Sequence, residues 1–201
     1  RSEELWGAGG PWRRECDGYA GWLMREHPEF AHVEQLHGER SEMYFQPQTS
    51  PMPAELTVEA WAADRAVEQL GKRDDVRPYF GFVSFVGPHP PFAPPIPFNR
   101  MYDPDRMPSP VRGERAMDHL DPFIPAHARS MFADDLSDFS WRLARARYWG
   151  EVSYIDQQLG RILDAVEARG DADNTLICFF TDHGEMLGDH QAGQKSNFFE
   201  Q

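Results

Sequence analysis

Residues 174–190 read Asn-Thr-Leu-Ile-Cys-Phe-Phe-Thr-Asp-His-Gly-Glu-Met-Leu-Gly-Asp-His, an apolar run that breaks at Thr181 into a polar stretch interrupted by glycines. The run over 174–180 is short, and its β-branched and aromatic residues suit a strand buried on both faces, as in the sheet of an α/β protein. Parallel sheets place ligands at the carboxyl ends of their strands, which directs attention to Thr181 onward. A second run of the same kind, Pro-Tyr-Phe-Gly-Phe-Val-Ser-Phe-Val, occupies 78–86 and leads into Gly87-Pro88-His89-Pro90-Pro91-Phe92-Ala93-Pro94-Pro95-Ile96-Pro97. Its prolines exclude helix and sheet interior and predict a stiff extended loop that presents His89 at a strand end.

Between the two runs, Tyr148, Val152, Ile155, Leu159, Ile162 and Val166 recur at steps of three and four, predicting a helix over 140–169 that ends at Gly170. Ahead of the first run, Leu56, Ala60, Ala63, Val67 and Leu70 predict a helix over 55–70, with Thr57 as N-cap and an end near Gly71. Residues 99–139 carry five dispersed prolines and read as irregular, and the first 50 residues as loops with one or two short helices. Strand, long connection, helix and strand in this order is α/β logic, with a mostly parallel sheet and flanking helices.

The 201 residues hold 20 Lys and Arg against 33 Asp and Glu, a formal net charge of -13, which argues against a nucleic-acid groove. With 40% hydrophobic residues the chain is not an acidic disordered one. No run of 18 apolar residues is present, so no membrane-spanning helix is expected. Cys16 and Cys178 form neither a disulfide framework nor a CxxC pair, and Cys178 reads as a small core residue of its strand.

The stretch 181–190 holds five potential metal or acid–base groups, Asp182, His183, Glu185, Asp189 and His190. Carboxylate beside imidazole is a mixed donor set for a divalent cation, and equally a composition found in solvated loops. Lys195 is one of two lysines among 20 basic residues. It is either a compact ammonium kept for an anionic oxygen or a surface lysine. His89 is either a proton donor or anion-binding group, or an ordinary loop histidine.

Taken in order, Pro78 to Pro95, Tyr148 to His190, and the tail Gln194-Lys195-Ser196-Asn197-Phe198-Phe199-Glu200-Gln201 resemble the strand and Pro-His-Pro-Pro-Phe loop, the long helix with its Thr-Asp-His-Gly-Glu strand end, and the lysine stretch of the sulfatases. The resemblance implies an alkaline phosphatase-like α/β catalytic domain, of which residues 1–201 are the central portion, without the N-terminal nucleophile segment and the C-terminal subdomain. It implies a metal-dependent sulfuric ester hydrolase cleaving small-molecule sulfate monoesters. Asp182 and His183 fall on two metal-ligand positions, Lys195 on the lysine that binds sulfate oxygens, and His89 on the histidine that contacts sulfate and leaving group. Gly188 and His190 fall where the family shapes its loop. Calcium is the family's usual ion. The phosphonate monoester hydrolases and phosphodiesterases of the superfamily often carry His at the position of His183, with manganese or another transition metal.

The family's nucleophile is a formylglycine made from Cys or Ser in a Cys/Ser-X-Pro-X-Arg motif. No Cys or Ser here has Pro two residues later, so formylglycine is expected upstream and the segment alone is expected to be inactive. Asp74-Asp75 and Asp134-Asp135 do not follow apolar strands and read as surface charges rather than the family's paired aspartate ligands. The alternatives are a phosphonate monoester hydrolase or phosphodiesterase on the same scaffold, or a non-catalytic truncated relative.

Overall fold

The computed structural model describes residues 18–31, 48–74, 77–112, 136–193 and 195. Cys16, Asp75, Asp134-Asp135 and most of the tail around Lys195 lie outside them. Helix α1 spans Tyr19–Glu26 and buries Leu23 completely. Leu23, Ala31, Met52 and Leu56 form one small core, closed by Tyr19, Trp22, Met24 and Phe30. The Tyr19 hydroxyl donates to the Leu56 carbonyl at 2.8 Å and so ties α1 to the approach of the next helix.

Helix α2 spans Val58–Lys72. Thr57 caps it as expected, its Oγ1 accepting from the Ala60 amide at 3.2 Å and meeting the Tyr154 hydroxyl at 2.6 Å. Helix α3 spans Asp138–Ala168 and is capped by Ser137, which accepts from the Ser140 amide at 3.1 Å. It stops in a Schellman motif, with Gly170 donating to Glu167 and Asp171 to Val166. α2 packs along α3, and Arg161 reaches across to Asp64.

The buried face of α3 differs from the expected stripe. Ile162 and Val166 are buried and Tyr148, Ile155 and Leu159 half-buried, whereas Val152 is 45% exposed. Glu151, Tyr154 and Gln158 turn inward instead, because Tyr154 bonds the Thr57 hydroxyl and the Ala54 carbonyl at the foot of α2. Gly150 allows a close approach: a Cβ there would lie 2.3 Å from the carbonyl oxygen of Phe98, in the turn Phe98–Arg100.

The two apolar runs are extended, but no strand ladder occurs among the described residues. Burial on both faces is not found either. Phe80 and Leu176 are 91% exposed, Phe82, Phe179 and Phe180 are also exposed, and so is Cys178, which is not the core residue expected. A run that is apolar on both faces is covered only when strands flank it and helices lie over both sides, and here such neighbours are missing among the described residues. The runs meet at the Phe82 and Phe180 rings, whose centroids are 6.4 Å apart. Asp74 pairs with Arg77 at 2.7 Å on the surface, in line with the reading of its acidic pair as surface charge.

Candidate active site

The first extended run turns at Gly87-Pro88 into the His89 loop, where the His89 amide donates to the Val86 carbonyl. Phe92, fully buried with Trp141 and Ala144, anchors the far side of the loop on α3. His89 is half-buried. Its Nδ1 meets the Pro90 carbonyl at 2.9 Å; a carbonyl only accepts, so Nδ1 carries hydrogen and Nε2 is the nitrogen that titrates. Burial holds the His89 imidazole below its ordinary value, and Lys195 and His183 push in the same direction. The Pro90 carbonyl and Asp182 oppose them. A largely neutral imidazole therefore sits within the electrostatic reach of Lys195, His183 and Asp182.

The second run ends at Thr181, whose hydroxyl donates to the His183 carbonyl at 2.7 Å. The His183 amide donates to Asp182 Oδ1 at 2.9 Å, and its Nδ1 to the Gly184 carbonyl at 2.7 Å. A backbone acceptor on Nδ1 fixes the tautomer and directs the Nε2 lone pair outward, the usual support of a metal-bound histidine. That Nε2 lies 3.4 Å from Asp182 Oδ2. Two ligands of one divalent ion, each about 2.0 to 2.4 Å from it, stand roughly 3 to 3.5 Å apart. The pair thus fits as part of a metal site. Asp182 is largely exposed, and among the described residues no group of three or more His, Cys, Asp or Glu could hold a metal ion.

Asp189, Gly188 and the His190 backbone seat the loop. Asp189 accepts from Arg145 of α3 and from the Val111 amide, and the His190 amide donates to the Val111 carbonyl at 2.9 Å. Arg145 Nε also holds the Leu187 carbonyl at 3.0 Å. Gly188 sits at φ 93°, a conformation that suits glycine, against the Trp141 ring. Asp189 and Gly188 therefore clamp the loop on α3, as the resemblance implies for Gly188. Arg145 and Trp141 escaped the sequence reading because nothing in a helical segment shows which distant loop a residue faces. Two further residues were missed, the buried Glu59 and Glu151 under the His89 loop.

A family model described as Sulfatase matches residues 29–201. The chain belongs to the sulfatase family. Among the relatives of this sulfatase-family chain, the multifunctional alkaline phosphatase superfamily protein PehA of Trinickia caryophylli is 32% identical over 90% of the chain. An arylsulfatase of Clostridium perfringens is 33% identical over 65% of it. The crystal structure of the phosphonate monoester hydrolase of Agrobacterium radiobacter superposes on 90% of the chain with a TM-score of 0.74 at 34% identity. The chain spans 38% of the lengths of PehA and of that hydrolase, and 27% of the arylsulfatase. No described helix of this sulfatase-family chain is long and apolar enough to cross a membrane.

Proposed function

We propose that the chain is the central part of an α/β catalytic domain in a metal-dependent hydrolase of sulfate monoesters, with a formylglycine nucleophile supplied from outside these 201 residues. The observation that supports it is the 3.4 Å pairing of Asp182 and His183 within electrostatic reach of His89, on which Lys195 also acts. On this reading the exposed faces of 78–86 and 174–180 are interior surfaces of a parallel sheet completed by the remainder of the protein. A sulfate ester is an anion, and its charge must be met before a nucleophile approaches. Lys195 supplies a fixed positive charge for the sulfate oxygens. Asp182 and His183 hold the divalent ion, which when bound adds Lewis-acid stabilisation of the same oxygens. His89 donates from Nε2 to the leaving-group oxygen in its protonated form, and the burial that disfavours that charge makes it a readier acid than an exposed imidazole.

Calcium prefers all-oxygen sites, whereas imidazole suits transition ions. The prepared Nε2 of His183 therefore favours a transition ion over calcium. That donor set, together with the 90% overlap with PehA and with a phosphonate monoester hydrolase, favours a second reading, a phosphonate monoester hydrolase working through the same four residues. Turnover of 4-nitrophenyl sulfate and of 4-nitrophenyl phenylphosphonate by the full-length protein separates the two. Faster turnover of sulfate supports the first reading and faster turnover of phosphonate the second. Tight manganese or calcium binding with hydrolysis of neither refutes both and supports a non-catalytic relative.

A further inference from the structure

Two acids lie directly beneath the His89 loop. Glu59 on α2 is 7% exposed and Glu151 on α3 is 9% exposed. Glu59 Oε1 accepts from the Gly87 amide at 3.2 Å, and Glu151 Oε1 lies against the same glycine. The turn into the loop is thus held two residues before His89. A Cβ added at Gly87 would stand 3.2 Å from Oε1 of each glutamate, so the two oxygens are at most twice that distance apart. Glu151 Oε2 is enclosed without a hydrogen-bond partner.

The groups facing the pair are the Thr57 hydroxyl from α2, the Tyr154 phenol, Tyr148 and Ile155 from α3, and the Gly87 and Ala93 amides from the loop. No cation is among the described groups that act on either carboxyl. Two desolvated like charges this close, with no counter-ion among the described residues, are resolved by taking up a proton. The residues are not equivalent. Glu59 stands in the first turn of α2, where the unpaired helix amides favour negative charge, and Glu151 stands in the interior of α3, where they do not.

We propose that Glu59 and Glu151 together carry one negative charge, on Glu59, with Glu151 as the neutral acid, and that the pair positions His89 through the bond Glu59 makes to Gly87. Burial pushes both carboxyls up, and the charge of Glu59 pushes Glu151 up further, which agrees with this assignment. The role of His89 rests on the ester-hydrolase reading, whereas the pair does not.

The test uses the full-length protein at neutral pH. Infrared difference spectra of wild type against Glu151→Gln should show the carbonyl stretch of a neutral carboxyl in the wild type and its loss in the variant. Hydrogen exchange across residues 86–89 should be roughly tenfold or more faster in Glu59→Ala, the factor for losing one bond to a carboxyl. It should stay slow in Glu151→Gln, which leaves the Gly87 bond to Glu59 in place. If Glu59→Ala does not fold, Glu59→Asp withdraws the carboxyl by one methylene and is read in the same way. Absence of the neutral-carboxyl band overturns the protonation. Unchanged exchange in Glu59→Ala or Glu59→Asp, or exchange in Glu151→Gln as fast as in Glu59→Ala, overturns the positioning role. Both readouts are independent of turnover, so a protein that hydrolyses neither ester could still establish the pair.

Discussion

Replacing Gly188 by alanine tests whether the loop beyond Asp182-His183 is seated as described. Gly188 lies at φ 93°, and a residue with a Cβ costs about 1 to 2 kcal/mol in left-handed backbone. The new Cβ would also meet Trp141 Cδ2 at 2.6 Å, Trp141 Cγ at 2.7 Å and Pro110 Cγ at 2.9 Å. Carbon atoms pack best at about 3.5 to 4.0 Å, so something must move by close to an ångström. Trp141 is 2% exposed and cannot swing into solvent, and overpacking of this kind costs about 1 to 3 kcal/mol. The two effects together predict a loss of about 2 to 5 kcal/mol, read from urea unfolding of the full-length protein. Gly160 provides the contrast, since it lies inside α3 with nothing within 4 Å of an added Cβ. Gly160→Ala should stabilise by about 0.5 to 1 kcal/mol through helix propensity alone. A Gly188→Ala variant within about 0.5 kcal/mol of wild type, the scatter of ordinary surface substitutions, would refute the seating of this loop against Trp141.

Lys195→Ala in the full-length protein should lower kcat/KM for whichever ester is turned over by about 100-fold or more, the scale of losing one oxyanion-stabilising group; unchanged kinetics remove Lys195 from the site. Asp182→Ala and His183→Ala should each weaken manganese binding at least about tenfold by calorimetry, more than a supporting residue alone commonly contributes, and equal affinity would sink the metal assignment. Thr57→Ala should cost about 1 to 2 kcal/mol in urea unfolding, because it loses the cap of α2 and the partner of the Tyr154 hydroxyl. The pH dependence follows from Glu59 and Glu151, whose folded values lie above the ordinary 4.5. The folded state then holds protons that the unfolded chain has released, so stability is fully present below about pH 4.5 and is lost as pH rises through the raised folded values. Glu151→Gln removes part of that loss, and its advantage in Tm should grow over the same pH range; a constant offset would contradict it.

Much of the fold was legible because its signals are local. Thr57, the apolar positions from Leu56 to Leu70, and Gly170 announce helix ends that need only a few neighbours to form, and α2 and α3 lie within three residues of their expected limits. The face that α3 buries was not legible. Val152 has the right hydropathy for the stripe, but the packing partner is the polar foot of α2, where Tyr154 finds the Thr57 hydroxyl and the Ala54 carbonyl. The runs 78–86 and 174–180 show the converse. Their composition specifies a two-sided apolar environment, yet composition cannot supply the strands and helices that would make it, and the aromatic side chains of Phe80, Phe82, Phe179 and Phe180 remain exposed among the described residues.

The site divides along the same line. His89, Asp182, His183 and Lys195 were named from residue types at strand ends and from a family resemblance, and the chain's path brings the other three within electrostatic reach of His89. Glu59 and Glu151 were invisible to that reasoning. A glutamate two residues after a threonine N-cap reads as a solvent-facing complement to the helix dipole, and one in mid-helix as a solvated charge. What makes them different is tertiary: Gly87 leaves room for two carboxyls where a side chain would stand, and its amide offers one of them a hydrogen bond. The same property that marks Glu59 as an ordinary helix-start acid then decides where the pair keeps its charge. Helix amides stabilise the anion on Glu59, so the proton goes to Glu151, and a local sequence signal acquires its consequence only once α3 and the His89 loop close over it.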